Sequence, residues 1–301
     1  RRRRRRRRPL ILAKPRLAFI FHEEYPRTGD WFLVKSPVPL FLIIASYVYI
    51  CVLVGPRYMR DKKPFELRKV LILYNFSQVL ASMYLVYEGL MSGWWGEYNF
   101  TCQGIDRSSS PTALRMAGAV YAYYICKLVE LLDTVFFVLR KKNQQISFLH
   151  VYHHALMPLC GWIGVRYFPG GHATLLGLIN SFIHIFMYAY YMLASVGPQM
   201  HKYLWWKKYL TLMQIVQFCI IFAHTGQLLV NGCSKFPTPI VLLLTANAIL
   251  FIYLFSSFYI RTYLQGSRIK KKAAVNGSKQ NIPYTPANLG YPNDHFLKKV
   301  E

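Results

Sequence analysis

The chain has 301 residues and is strongly apolar, with 54% hydrophobic and 16% aromatic residues. Its formal net charge is +25, and its first eight residues are all arginine. A soluble domain of this length would be more polar, so the composition favours an integral membrane protein with aromatic residues at the membrane interfaces. The six cysteines lack the paired spacing of a zinc site, and the apolar stretch after the arginines, Pro9 to Ala13, is too short for the hydrophobic region of a signal peptide.

Seven apolar stretches follow an N-terminal lead-in, residues 1–36, whose poly-arginine start we interpret as a disordered arm. No folded basic domain follows it, which argues against a nucleic-acid partner. Most stretches reach the roughly 20 residues that cross about 30 Å of hydrocarbon, and spanning segments must be helical. The stretches are 38–54, 67–92, 113–139, 146–166, 173–196, 205–230 and 238–264. The sequence therefore predicts an all-α integral membrane protein with seven transmembrane helices in residues 37–266.

Lysine and arginine are concentrated in the odd-numbered connections and after the last stretch. They occupy residues 57–69, 140–142 and 202–208, whereas the even-numbered connections contain few of them. The positive-inside rule therefore places the odd connections and the C-terminus in the cytosol. The last segment, residues 267–301, is predicted to be a disordered, basic cytosolic tail.

Short signals on the two sides agree with this orientation. Asn99 begins a glycosylation sequon in the second, lumenal connection. Cys102 and Cys233 lie in the second and sixth connections, where an oxidising lumen favours a disulfide over two free thiols. Lys298 and Lys299 stand at positions −4 and −3 from the C-terminus, as in a dilysine retrieval signal. We therefore expect a multi-pass protein of the endoplasmic reticulum membrane.

Three histidines lie at the start of the fourth stretch. His150 is three residues from His153 and four from His154, so it shares a helical face with both. Ionisable groups inside a span are costly and usually face a cavity, a partner or a reaction. The alternative is a structural role, in which the histidines are packed and hydrogen bonded in the core. Three of them together at membrane depth favour a functional site instead.

Polar residues from four stretches reach a similar depth. A rise of about 1.5 Å per residue puts His153 about 10 Å and His184 about 13 Å below the cytosolic face. We interpret this shared depth as one site, because scattered polar residues of a core would have no reason to share it. The layer consists of Lys127, Glu130, Asp133, His153, Asn180, His184, Tyr188, Thr211 and Gln214.

Metal chemistry is the first reaction class that such a site could carry. The spacing His-x-x-His-His also occurs in membrane di-iron desaturases and hydroxylases, which need several such boxes to hold two metals. This chain has nine histidines but one cluster, so we expect no metal. A seven-helix transporter or receptor, with Lys127 and Glu130 as a proton relay, is a further alternative. It gives the histidines no role.

Acyl transfer is the second reaction class. A neutral imidazole attacks a thioester, and a dry site protects the resulting N-acyl imidazole from water. Arg140, Lys142 and Lys207, at the predicted cytosolic mouth, would bind the phosphates of a carrier such as coenzyme A. The sequence therefore favours acyl transfer from such a carrier to an acceptor.

Four motifs resemble those of the ELO family of very-long-chain fatty acid elongases. They are Lys127–Thr134 (K-x-x-E-L-x-D-T), Gln145–His154 (the histidine box), Asn180–Tyr191 (N-x-x-x-H-x-x-M-Y-x-Y-Y) and Thr211–Gln217 (T-x-x-Q-x-x-Q). The likeness extends from about Pro26 to Leu264. It implies an endoplasmic reticulum enzyme with seven helices, six of which form a barrel around a substrate tunnel that is closed at the lumenal end.

The resemblance also implies an activity, that of a 3-oxoacyl-CoA synthase. The enzyme would condense a long-chain acyl-CoA with malonyl-CoA, release carbon dioxide and coenzyme A, and use no metal or redox cofactor. By position, His153 is the implied nucleophile of a ping-pong acyl transfer. His184 would position or protonate the reacting groups.

The remaining site residues follow from the same likeness. Catalytic candidates besides His153 and His184 are His150 and His154, and His150, Asn180 and Tyr190 would donate hydrogen bonds. The implied coenzyme A path is Lys127, Arg140, Lys142, Gln145, Lys207 and Thr211, and we assign Glu130, Asp133, Tyr188 and Gln214 to substrate binding. Implied partners are the two substrates, the lipid bilayer, and the ketoreductase, dehydratase and enoyl reductase of the elongation cycle. A homo-oligomer remains open.

Overall fold

The computed structural model describes residues 27–233 and 235–265, which contain helices and connections but no strand. The poly-arginine start and the tail with Lys298 and Lys299 lie outside these residues. The helices are α1 (Pro37–Tyr58), α2 (Arg68–Trp94), α3 (Pro111–Val129), α4 (Leu132–Leu139), α5 (Phe148–Tyr167), α6 (Thr174–Val196), α7 (Lys207–Asn231) and α8 (Thr238–Gln265). The prediction of an all-helical protein is confirmed for this part of the chain.

Local sequence signals set several helix ends. Ser36, Ser110 and Ser147 each cap a helix, because their side chains accept a hydrogen bond from a backbone N–H of the first turn. Helix α7 ends at Gly232, whose φ of 64° lies in the left-handed region that glycine adopts without strain.

The third apolar stretch differs from its prediction as one helix over 113–139. The structure breaks it at Glu130 and Leu131, between α3 and α4. The cause is a tight turn, in which Leu131 N–H donates to Leu128 O at 3.3 Å and Asp133 N–H to Glu130 O at 3.1 Å. These three-residue spacings replace the four-residue spacing of a regular α-helix.

Within residues 27–233 and 235–265, five helices are long and apolar enough to cross a membrane by length and composition: α1, α2, α6, α7 and α8. Segments α3 with α4, and α5, are the two other apolar stretches of the sequence. They carry the lysine, carboxylates and histidines of the predicted site, which lower their hydropathy. The structure thus supports a multi-pass membrane protein, and the count of seven spans remains a prediction.

Helix packing explains how distant stretches meet. Helix α2 packs on α3 and α6, α3 also packs on α5, and α7 packs on α6 and α8. Between α5 and α8, the Tyr152 hydroxyl donates to Asn247 Oδ1 at 3.2 Å. Each of these six helices therefore contacts at least two others of the set, while α1 packs against α5.

One end of the bundle, which we call the basic end, contains the connections at residues 59–67, 140–147 and 197–206. Lys141 Nζ donates to the carbonyl oxygens of Arg60 and Lys62, at 2.8 and 3.1 Å. Phe65 N–H donates to Leu139 O at 3.0 Å. The first and third connections therefore meet at one end, as their shared charge pattern predicts, and beside the fifth connection Arg68 donates to Val196 O.

The opposite end, which we call the disulfide end, contains the connections with Cys102, His172 and Cys233. A disulfide joins Cys102 to Cys233, whose Cα atoms are 5.7 Å apart. The His172 and His224 rings stack with centroids 3.6 Å apart, and each Nε2 donates to the carbonyl oxygen of the other residue. Burial lowers the pKa of His172, which keeps its ring neutral in this contact.

We predict that replacing Cys102 or Cys233 with serine lowers the free energy of unfolding by about 2 to 5 kcal/mol, because the bond closes a long loop. Thermal unfolding of purified wild-type and variant protein would measure this loss of stability. Cys219→Ser, at an exposed free thiol, is the matched control and should leave the midpoint unchanged. Equal midpoints for all variants, or free thiols at both positions in non-reducing peptide maps, would contradict the assignment.

Candidate active site

The three clustered histidines of α5 have different surroundings. His150 Nε2 lies 2.9 Å from Thr134 Oγ1, which in turn lies 2.8 Å from the Tyr47 hydroxyl. His150 therefore faces α4 and α1. Its ring also contacts His154, whose side chain is buried, with centroids 4.2 Å apart. This arrangement suits His150 to position its neighbours.

His153 has the opposite setting. It lines a cavity of about 190 Å³ between the helices. Its ring packs edge-on against Phe251, with centroids 5.5 Å apart, and against His154 at 5.3 Å. Within the described residues it makes no hydrogen bond. Its ring nitrogens are therefore free to react with a ligand in the cavity.

The cavity is formed by α2, α3, α5, α6, α7 and α8 together with the connection between α5 and α6. Most of the wall is apolar, and towards the disulfide end it includes Met116, Phe168 and Ala173. The polar residues in the wall are Tyr123, His153, Thr174, Asn180, Ser181, Gln217 and Asn247. A wall of this kind suits a long hydrocarbon chain with a polar head near His153.

A buried ion pair lies beside the cavity. Lys127 Nζ contacts both carboxylate oxygens of Glu130, at 2.8 and 2.9 Å, and the two residues are 2% and 3% exposed. His184 Nδ1 lies 3.3 Å from Glu130 Oε1, and Asn180 Nδ2 lies 3.3 Å from His184 Nε2. Lys127 Nζ also lies 3.4 Å from His184 Nδ1, so this ring nitrogen faces both members of the ion pair.

The network gives the surroundings of two residues whose roles were predicted. Lys127 was predicted to line the coenzyme A path, and its ammonium group contacts Glu130 and His184 and has almost no exposed surface. His184 is buried and does not belong to the cavity wall, whereas Asn180 does. His184 therefore reaches the cavity through Asn180, which also accepts a hydrogen bond from the Tyr123 hydroxyl at 3.1 Å.

Asp133 belongs to a second polar group, on the side of α4. Its Oδ2 accepts a hydrogen bond from the buried Tyr188 hydroxyl at 3.0 Å. The Tyr74 ring packs against Phe136 and Tyr188, and its buried hydroxyl has no hydrogen-bond partner in the part of the chain that the structure describes. The contacts make Asp133 and Tyr188 a packing link between α4, α6 and α2.

The remaining predicted substrate residues lie around the basic end without direct contact with His153. Lys142, Gln145 and Lys207 are exposed and Arg140 is half-buried, so all four are available to a ligand at that end. Tyr190 packs edge-on against Trp206, with centroids 5.2 Å apart. The Thr211 hydroxyl lies 3.5 Å from that of Tyr263, and Gln214 Nε2 donates to the sulfur of Met187 at 3.7 Å.

The sequence analysis missed five polar residues of the cavity wall: Tyr123, Thr174, Ser181, Gln217 and Asn247. Tyr123 is one helical turn before Lys127, and Gln217 ends the fourth motif, so both had a usable signal. Asn247 had no such signal in the sequence, because its place in the cavity wall depends on how α8 is rotated about its axis.

Metal-binding groups and the sequon can also be located. No group of three or more His, Cys, Asp or Glu residues in the described ranges could hold a metal ion. At the disulfide end, Asn99 is exposed, and its Oδ1 accepts hydrogen bonds from the backbone N–H and hydroxyl of Thr101. Its glycosylation stays a prediction.

Comparisons with known proteins agree with the motifs. Residues 32–272 match the family described as ELO: GNS1/SUR4 family. The chain is 47% identical over 253 residues to "Very long chain fatty acid elongase 7" of Drosophila melanogaster, covering 84% of this chain and 77% of that protein. It is 45% identical over 247 residues to the protein of the same name from Rattus norvegicus, covering 82% and 88%. Against "Very long chain fatty acid elongase 4" of Mus musculus it is 46% identical over 256 residues, covering 85% and 81%.

The buried pair yields a prediction about stability. Glu130→Gln leaves the Lys127 ammonium buried without a carboxylate, which should cost about 3 to 5 kcal/mol of unfolding free energy. Combining it with Lys127→Met removes both charges and should recover part of that loss. Thermal unfolding of the wild type, both single variants and the double variant would measure the coupling. Strictly additive losses would show that the two side chains do not depend on each other.

Proposed function

The chain belongs to the ELO family, GNS1/SUR4, of very long chain fatty acid elongases, and from this we propose that it is the condensing enzyme of fatty acid elongation. It would join a long-chain acyl-CoA to malonyl-CoA and form a 3-oxoacyl-CoA two carbons longer. The observation that carries the proposal is His153, an imidazole without a hydrogen-bond partner in the described chain, in the wall of an apolar cavity. Neither a di-iron site nor a transporter gains support from the family match.

In the first half-reaction, a ring nitrogen of neutral His153 bonds to the thioester carbon. The carbon–sulfur bond breaks, and the sulfur leaves as the coenzyme A thiol with the proton that the imidazole releases. The acyl chain stays on His153 and occupies the apolar cavity, where the low water content protects the reactive N-acyl imidazole.

In the second half-reaction, malonyl-CoA loses carbon dioxide, and the electrons of the broken bond form an enolate. The enolate carbon attacks the acyl carbon, the carbon–nitrogen bond breaks, and the imidazole takes up one proton. Asn180 lines the cavity and is hydrogen bonded to His184. This pair is therefore suited to position the reacting oxygens and to stabilise the charge that changes during the reaction. His150, held by Thr134, and His154 would orient the helix turn that carries His153.

Several features of the setting belong to the same proposal. Six helices would form a barrel around the tunnel, which the neighbour relations of those helices and their shared cavity support. The basic end would face the cytosol, where Arg140, Lys142 and Lys207 bind the phosphates of coenzyme A. We place the protein in the endoplasmic reticulum with its C-terminus in the cytosol, working beside the ketoreductase, dehydratase and enoyl reductase of the cycle.

The mechanism predicts a partial reaction. Wild-type protein given long-chain acyl-CoA alone should release free coenzyme A and gain one acyl mass on the peptide that contains His153. His153→Ala should do neither and should lose more activity than the roughly 10²- to 10⁴-fold typical of a general acid or base. His184→Ala should acylate slowly and fail to elongate.

The control is His295→Ala, which removes an imidazole beyond the residues that match the family and should keep full activity. Intact-protein and peptide mass spectrometry would detect the acyl group. An unmodified wild-type mass, with product formed only when both substrates are present, would instead indicate direct transfer and remove His153 from the nucleophile role.

The proposed reaction needs no metal, since no step changes oxidation state and the imidazole supplies the nucleophile. Dialysis against a strong chelator should therefore leave kcat unchanged. The check is elemental analysis of active protein before and after that treatment. Stoichiometric iron or zinc, with turnover lost on its removal and restored on its return, would contradict this part of the proposal.

A further inference from the structure

Gln217 is a buried carboxamide in the wall of the same cavity as His153. It lies on α7 and is 3% exposed. The carboxamides of Asn180 and Asn247, in the same wall, are hydrogen bonded to Tyr123 and Tyr152. Gln217 makes no hydrogen bond within residues 27–233 and 235–265. Most buried polar groups are hydrogen bonded, so an amide without a protein partner in the wall of a cavity is a candidate to bind what occupies that cavity.

Gln217 and His153 line the same cavity, and ring contacts connect His153 to Phe218, the residue after Gln217. The His153 ring contacts Phe251, and Phe251 stacks on Phe218 with centroids 4.9 Å apart. Phe218 follows Gln217 in the chain. A helical side chain leans towards the N-terminus of its helix, which for α7 is the basic end, the same end at which the histidines of α5 lie. The carboxamide therefore reaches back towards the level of His153.

The chemistry of the substrate decides what this carboxamide can bind. The neighbouring wall residues Phe218, Ile221 and Ala248 are apolar. A saturated acyl chain offers no hydrogen-bond acceptor except the carbonyl oxygen at its head. That oxygen is attached to the carbon that must reach His153. It is therefore the group that a donor beside His153 can pair with.

We propose that Gln217 is a further catalytic residue, whose side-chain N–H donates a hydrogen bond to the carbonyl oxygen of the acyl group at His153. This rests on the proposed function. When the imidazole nitrogen bonds to the thioester carbon, the π electrons of the carbonyl move onto the oxygen. The amide stabilises that negative charge until the carbon–sulfur bond breaks and the carbonyl re-forms. A fixed donor in a dry cavity is effective in this role because no solvent must reorganise.

The test is Gln217→Leu, with Gln217→Asn as a variant that retains a shorter carboxamide. With acyl-CoA alone, the rate of coenzyme A release by Gln217→Leu should fall about 10²-fold, as when a single oxyanion donor is removed. The fall should appear in kcat rather than KM, and by the same factor for saturated and unsaturated chains. Gln217→Asn should lose less. The thermal midpoint of substrate-free Gln217→Leu should not fall, because an unpartnered amide is replaced by an apolar group.

Each other outcome would overturn the proposal. An undiminished release rate leaves Gln217 without a catalytic role, and a loss confined to particular chain lengths or unsaturation assigns it to chain selection. A lower midpoint in both Gln217→Leu and the unbranched Gln217→Met shows a structural role. The wild-type burst is measured first. Its absence contradicts the ping-pong function, whereas a normal wild-type burst with an equal variant burst contradicts the role of Gln217 alone.

Discussion

Burial of charge inside an apolar helix bundle is the constraint on which the site depends. Lys127 and Glu130 are almost completely shielded from solvent, and either charge alone would be costly at that depth. The break between α3 and α4 occurs at Glu130, where the helix turn tightens. The carboxylate bonds Lys127 and approaches His184, so the requirement for charge pairing also fixes the orientation of the imidazole on α6.

The histidines have different hydrogen-bond partners, and their expected roles differ accordingly. His150 is bonded to Thr134 and His184 lies against Glu130, so both rings are fixed by protein groups. His153 has ring neighbours but no hydrogen bond among the described residues, and it is the one of the clustered three that reaches the cavity. An enzyme that forms a covalent intermediate needs such a contrast. The nucleophile must have a free lone pair, and the surrounding groups must already be oriented.

The sequence predicted the helices well, because long apolar stretches bounded by serine caps, glycine or charge leave few alternatives. It also predicted that polar residues of four stretches share one layer, and of these the third and fifth stretches bring Lys127, Glu130 and His184 together. The sequence did not predict which neighbouring residue each side chain contacts. Spacing places His150 and His153 on nearby faces, but only the positions of α4 and α8 decide that one meets Thr134 and the other meets Phe251. The break at Glu130 was equally hidden, because no glycine or proline marks it.

The Cys102–Cys233 bond has a mechanical consequence. It ties the connection between α2 and α3 to the connection between α7 and α8, on opposite halves of the chain. The stacked rings of His172 and His224 hold the same end through a non-covalent contact. Helices fixed together at one end can separate only by pivoting about it, so displacement grows with distance along the helix axis. The greatest freedom to widen therefore lies at the far end, where the exposed lysines gather and a bulky hydrophilic molecule would have to enter and leave.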